Sequence, residues 1–243
     1  MHLAVRRSSA ALAAAAVLVL SGCAFGSTTT SGAGAPESPA PASSTPTATV
    51  AADPLTTVTE IVVRPEQLDL LDAGGAVVAT LPYDAETADF VGALTTVLAG
   101  EPQQADLAGG MERAPWTEYA WAGVVVEDDH EDQVPTENGA VYGPIELNLA
   151  VRLTAPVVGD GVIVRTVNGF QPGGDAQALA AELGEPWTGN GYDQVRVESG
   201  EPIGEPQAGL EYENAYSVAV NTWEHDGATN WILAPWNFGI GHV

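Results

Sequence analysis

Hydrophobic positions in this chain fall into short runs separated by Gly, Pro and acidic residues, and their spacing predicts the elements. The cleanest alternation is at Ile145–Thr154, where Ile145, Leu147, Leu149, Val151 and Leu153 take one side and Glu146, Asn148, Ala150, Arg152 and Thr154 the other. That period of two predicts one strand of a half-buried antiparallel sheet. Glu60–Arg64 (EIVVR) reads as a strand, with Ala76–Leu81 (AVVATL) as its hairpin partner through Asp72-Ala73-Gly74-Gly75. Asp84 is placed to cap a helix of about four turns. In it Ala88, Val91, Leu94 and Leu98 recur at helical spacing, Phe90 and Val97 widen the stripe, and Gly100 and Pro102 end it. A further apolar-rich strand is expected near Glu118–Val126.

The second half partly repeats this order. Val162-Ile163-Val164-Arg165 echoes Ile61-Val62-Val63-Arg64, and Asp175 echoes Asp84 as the cap of a helix through Leu183. Gly184-Glu185-Pro186 repeats Gly100-Glu101-Pro102 as a helix stop. Strands follow near Asp193–Glu198, Ala215–Glu224 and Asn230–Ala234, the last two joined by residues 225–229. Two diverged strand–helix–strands units would give this order, the second lacking about two helical turns. An α+β chain that merely reuses Gly-Glu-Pro stops would give it too. Either way the expected class is α+β, an antiparallel β-sheet with two helices on one face.

The N-terminus departs from these patterns. Arg6 and Arg7 precede an 11-residue apolar run, Ala10–Leu20, which is too short for a bilayer span of about 20 residues. Residues 1–22 read as a signal peptide. Residues 23–54 are rich in Ser, Thr, Ala, Gly and Pro and almost lack large apolar side chains, so a disordered tether is expected. About 30 such residues have an end-to-end distance of about 30 Å. Residues 55–243 are long enough for a single extracytoplasmic α+β domain with one core.

Leu20-Ser21-Gly22-Cys23 resembles the lipobox of bacterial lipoproteins, and Cys23 is the only cysteine in the chain. The resemblance implies lipidation of Cys23 after cleavage before it, and a lipid-anchored place on the extracytoplasmic face of the cell membrane. With Cys23 acylated, no disulfide, thiolate nucleophile or Cys-ligated zinc remains. The domain resembles uncharacterised surface lipoproteins of high-GC Gram-positive bacteria in its Leu-Ser-Gly-Cys start, in VVRPEQLDLLDAGG (Val62–Gly75) and in RTVNGF (Arg165–Phe170). A short helix ended by Leu-Gly-Glu-Pro and followed by strands is similar to the tandem repeats of the beta-lactamase-inhibitor-protein-like fold. Those similarities imply a non-catalytic binding module and carry no site residues across.

Charge narrows the partners. All seven basic residues are arginine, and 32 acids give a net charge of −25. Such a surface repels phosphate backbones, so no nucleic acid partner is expected. A protein or wall-polymer partner is expected instead, beside the membrane reached through Cys23.

Three constellations are candidates for chemistry. Glu127–Gln133 (EDDHEDQ) holds five carboxylates and one imidazole in seven residues. Its spacing matches neither a calcium loop with glycine at the sixth position nor His-Glu-x-x-His. Asp128, Asp129, Glu131 and Asp132 could form a loose Ca²⁺ site, dock an arginine-rich partner or form a solvated loop. Trp187 and Tyr192 lie in a Gly/Asn-rich loop and are candidate partner-binding residues if exposed, or core aromatics if not. Nucleophilic catalysis has little to work with, because only Ser199 and Ser217 follow Pro54 and no Gly-x-Ser-x-Gly elbow exists. The alternative enzymatic reading is a cell-envelope carbohydrate hydrolase, which needs only two carboxylates about 5 to 10 Å apart.

Overall fold

The chain past Pro54 reverses sooner than its hydrophobic pattern suggests. The computed structural model describes residues 52–109, 115–129, 147–205, 207–225 and 227–239. Strand β1 (Val58–Val63) is followed at once by β2 (Gln67–Asp72), because the Arg64 N–H donates to the Gln67 carbonyl at 3.0 Å across Pro65-Glu66. Leu68 and Leu70 of β2 face the core. The expected hairpin partner, β3 (Val77–Pro82), therefore pairs with β2 and not with β1. The Asp72–Gly75 turn is formed as expected, with the Asp72 carboxylate accepting from the N–H groups of Gly74 (2.8 Å) and Ala76 (3.0 Å).

Helix α1 (Thr87–Leu98) begins later than Asp84. Its N-cap is Glu86, which makes no side-chain cap bond. Tyr83 is the reason. Its side chain is fully buried, its N–H donates to the Glu66 carbonyl and its own carbonyl accepts from Leu149, so Pro82–Ala85 is held as a turn. The buried face is Phe90, Leu94, Val97 and Leu98, rotated from the expected stripe so that Ala88 is exposed.

Beyond α1 come β4 (Gln103–Leu107), β5 (Trp116–Trp121), β6 (Val124–Asp129) and β7 (Leu149–Leu153). The single strand expected over Glu118–Val126 is a hairpin, turned at Ala122-Gly123. Gly123 has φ +83°, and a Cβ there would lie 2.5 Å from the Ala155 Cβ, so only glycine fits. The alternation expected at 145–154 holds in the described part, with Leu149, Val151 and Leu153 buried; Ile145 and Glu146 lie outside the described residues. Edge strand β4 buries no side chain and so leaves no hydrophobic signature.

The second half follows β8 (Val157–Val158) with β9 (Val162–Thr166), α2 (Ala176–Leu183), β10 (Gln194–Gly204), β11 (Asn214–Asn221) and β12 (Trp231–Asn237). Helix α2 matches expectation at both ends: Asp175 accepts from the Ala178 N–H at 3.0 Å, and Gly184 closes it at φ 73°. It has 8 residues against 12 in α1, so it is shorter by one turn and not two.

The class is α+β, but two sheets replace the one expected. The first is mixed, in the order β3-β2-β1-β9-β8, with β1 and β9 parallel. The second is antiparallel, in the order β10-β11-β12-β7-β6-β5-β4. In it the strands after α1 meet the strands after α2 at the antiparallel β7–β12 pair. The echoing strands β1 and β9, however, lie parallel with Ile61 opposite Val164. One two-fold axis does not generate both relations, so the topology does not establish a duplication. A single apolar core joins both sheets and both helices, including Ile61, Leu68, Phe90, Val126, Leu179 and Ile232.

Candidate functional site

The loop that leaves α2 contains few apolar side chains, yet it is tightly held. At its start, Glu185 accepts from both Nε (3.2 Å) and an Nη (3.0 Å) of Arg196, and from the Tyr212 hydroxyl at 3.0 Å. The Arg196 guanidinium also lies 4.5 Å from the centre of the Tyr212 ring. At its end, Asp193 is buried and gathers the loop around its carboxylate. One oxygen accepts from the Thr188 N–H (2.7 Å) and hydroxyl (2.8 Å), and the other from the Gly189 N–H (2.9 Å). Burial alone pushes the Asp193 carboxyl up, but the donors of Thr188, Gly189 and Asn190 outweigh it and hold the group below the ordinary carboxylate range. The Asp193 carbonyl in turn accepts from the Thr222 N–H and hydroxyl, both at 3.0 Å, which fastens the loop to the end of β11.

Inside this frame the chain turns through Gly189 (φ 72°) and Gly191 (φ 83°), and Asn190 accepts from the Tyr192 N–H at 2.8 Å. The two aromatics that bracket the turn have different surroundings. Trp187 is half-buried against the core, whereas Tyr192 is 76% exposed. Of these two candidates, Tyr192 is exposed and Trp187 is not.

Trp187 instead walls an open pocket of about 310 Å³. Asp175 and Gln177 from the first turn of α2 line one side of it. Gly189 and Gly191 line the loop side, and Thr222 and Asn230 line the β11–β12 side. Asn230 is pinned there, donating to the Gly174 carbonyl at 2.8 Å while its own carbonyl accepts from Gly173 at 3.0 Å. Among the described residues, neither the Trp187 indole N–H nor the Gln177 side-chain amide has a hydrogen-bond partner. The pocket thus offers unused donors and acceptors beside a flat aromatic wall.

The other sequence candidates are not brought to this place. Asp128 and Asp129 are consecutive residues of β6, so their side chains take opposite faces of the sheet. Glu131 and Asp132 lie outside the described residues, as does Cys23. Among the described residues, no three or more His, Asp, Glu or Cys side chains gather as a metal site would require. Ser199 and Ser217 are cross-strand partners, with their hydroxyl oxygens 3.0 Å apart.

A second polar cluster, where the sheets approach each other, had no sequence signal. Glu198 pairs with Arg64 at 2.8 Å. Burial pushes the Glu198 carboxyl up, Arg64 pulls it down and Asp69 pushes it up again, and the group ends above its ordinary range. The Tyr83 hydroxyl is raised well above its ordinary value, first by burial and then by Asp69 and Glu198. Neither the Tyr83 hydroxyl nor the second Glu198 oxygen has a partner among the described residues.

No protein-family profile, curated protein or solved structure matches this chain.

Proposed function

We propose that this chain is a lipid-anchored binding module displayed on the extracytoplasmic face of a bacterial membrane. In this reading residues 1–22 are removed, Cys23 carries the acyl chains, residues 23–54 are the tether and residues 55–243 form the binding domain. Two or more acyl chains give the firm anchoring that one chain does not. Contact runs through the Trp187–Asp193 loop and its pocket. The observation that carries this is the Asp193 carboxylate with its loop donors, which orders the loop before any partner arrives. Ordering in advance removes an entropic cost from binding.

The partner is a protein or a wall polymer and not nucleic acid. Each described arginine is already paired with a glutamate: Arg64 with Glu198, Arg152 with Glu127, Arg165 with Glu60 and Arg196 with Glu185. On a chain of net charge −25, this leaves little to attract phosphate.

The alternative, a cell-envelope carbohydrate hydrolase with paired carboxylates, is favoured by Glu198, whose raised carboxyl suits a general acid. Against it, Arg64 is bonded to Glu198 across the two sheets, and Gln67 donates to Asp69 at 2.7 Å along its own strand, so both acids already have partners.

Crosslinking and affinity capture from intact cells, with the full chain beside Cys23→Ser, tests the proposal. The expected result is a captured envelope component and release of the Cys23→Ser protein from the membrane fraction. Retention of Cys23→Ser in the membrane contradicts the anchor. The absence of any captured component contradicts the binding role.

A further inference from the structure

We infer that the pocket beside Trp187 binds a neutral saccharide, a reading that rests on the binding role proposed above and names its ligand class. An anion would meet the Asp175 carboxylate, with no lysine anywhere in the chain and no arginine lining the pocket. A metal cation would find that one carboxylate alone, with an oxygen already bonded to the α2 amide of Ala178. A wholly apolar ligand would cover the Gln177 amide and the Trp187 N–H without supplying a partner for either, and unpaired polar groups are costly when water is excluded.

A neutral ring with an apolar face and a rim of hydroxyls satisfies all of these groups at once. The electron-rich indole face attracts polarised C–H groups of a sugar ring lying flat against it. The rim hydroxyls, each both donor and acceptor, suit the Gln177 amide and the Asn230 side-chain oxygen. The pocket volume of about 310 Å³ lies at the small end for ligand sites and suits one or two sugar units of a longer chain. Gly189 and Gly191 face the pocket without side chains, so a glycan can approach the backbone closely.

Calorimetry on the full-length lipoprotein in a zwitterionic, sugar-free detergent tests this. The probes are tetramers of N-acetylglucosamine and of glucose, with inorganic phosphate and CaCl₂ as comparators. The expected result is saccharide binding at millimolar concentration or tighter and no heat from phosphate. Gln177→Ala, a change at an exposed helix position, should weaken that binding about tenfold, the equivalent of one hydrogen bond. Trp187→Ala should abolish it, and Trp187→Phe, which keeps an aromatic wall, should retain part of it. No heat from either saccharide, or binding indifferent to Gln177→Ala, overturns the inference. If the chain still captures an envelope component from cells in that case, the binding role stands and only the saccharide assignment falls.

Discussion

Two carboxylates, one just before β10 and one within it, meet opposite fates. Asp193 and Glu198 lie five positions apart, and both lose water on folding. Asp193 gains more donors than its burial costs, and its carboxyl is held low. Glu198 gains one guanidinium, keeps an oxygen with no partner among the described residues, and is held high. Burial alone therefore does not set the state of a carboxylate; the number of donors aimed at it does. The well-satisfied acid stiffens the exposed loop, where order before binding matters. The poorly satisfied one sits between sheets, where the apolar core supplies the stability.

The largest expected effect comes from breaking the satisfied side. Asp193→Ala leaves the N–H groups of Thr188 and Gly189 without their acceptor, and it should give the largest fall in Tm of these variants. Amide exchange at residues 188–190 should quicken on the order of tenfold while the core amides stay protected. Unchanged exchange in the loop would mean that Asp193 does not organise it.

Next is the unsatisfied side. Tyr83→Phe removes a buried hydroxyl that has no partner among the described residues and keeps the ring packed 6.1 Å from Phe90. It should raise stability by about 1 kcal/mol, or about 3 °C in Tm for a domain of this size. A loss of that size would show that the hydroxyl has a partner after all.

The smallest effect is a difference in pH slope. For Asp193 the folded carboxyl titrates below the unfolded one, so its stabilisation is present above the ordinary carboxylate range and is lost as pH falls through the lowered value. For Glu198 the folded carboxyl titrates above the unfolded one, so stability declines as pH rises from the ordinary range through the raised value. Glu198→Gln should flatten that decline and leave the acid-side loss in place, as followed by chemical unfolding at a series of pH values. A decline of unchanged slope would remove Glu198 from the account.

Some of this was legible in the chain, and the rest failed for physical reasons. Helix α2 was readable because its cap, Asp175, and its stop, Gly184, are local signals. The β7 strand was readable because only one of its faces is fully buried. The β5–β6 turn was missed because Ala122-Gly123 sits inside an apolar run with no polar punctuation. The strand β2 was missed because Leu70-Leu71 breaks the alternation of QLDLLD. Trp187 and Tyr192 stood out as aromatics in a Gly/Asn loop, but their division into a pocket-lining and an exposed side chain depends on Asp193 accepting from backbone amides, which carry no residue signature. The meeting of Tyr83 with Glu198 depends on how the two sheets pack, and spacing along the chain cannot show it.

The central claim is that the loop is a prebuilt contact surface and not merely a well-ordered connection. Tyr192 is 76% exposed, so Tyr192→Ala should change stability by less than about 0.5 kcal/mol. Capture from intact cells by wild type and Tyr192→Ala, compared at equal folded protein, is the direct measurement. A fall in captured envelope material of about tenfold with Tm unchanged is the predicted result. Equal capture by the two proteins would contradict it.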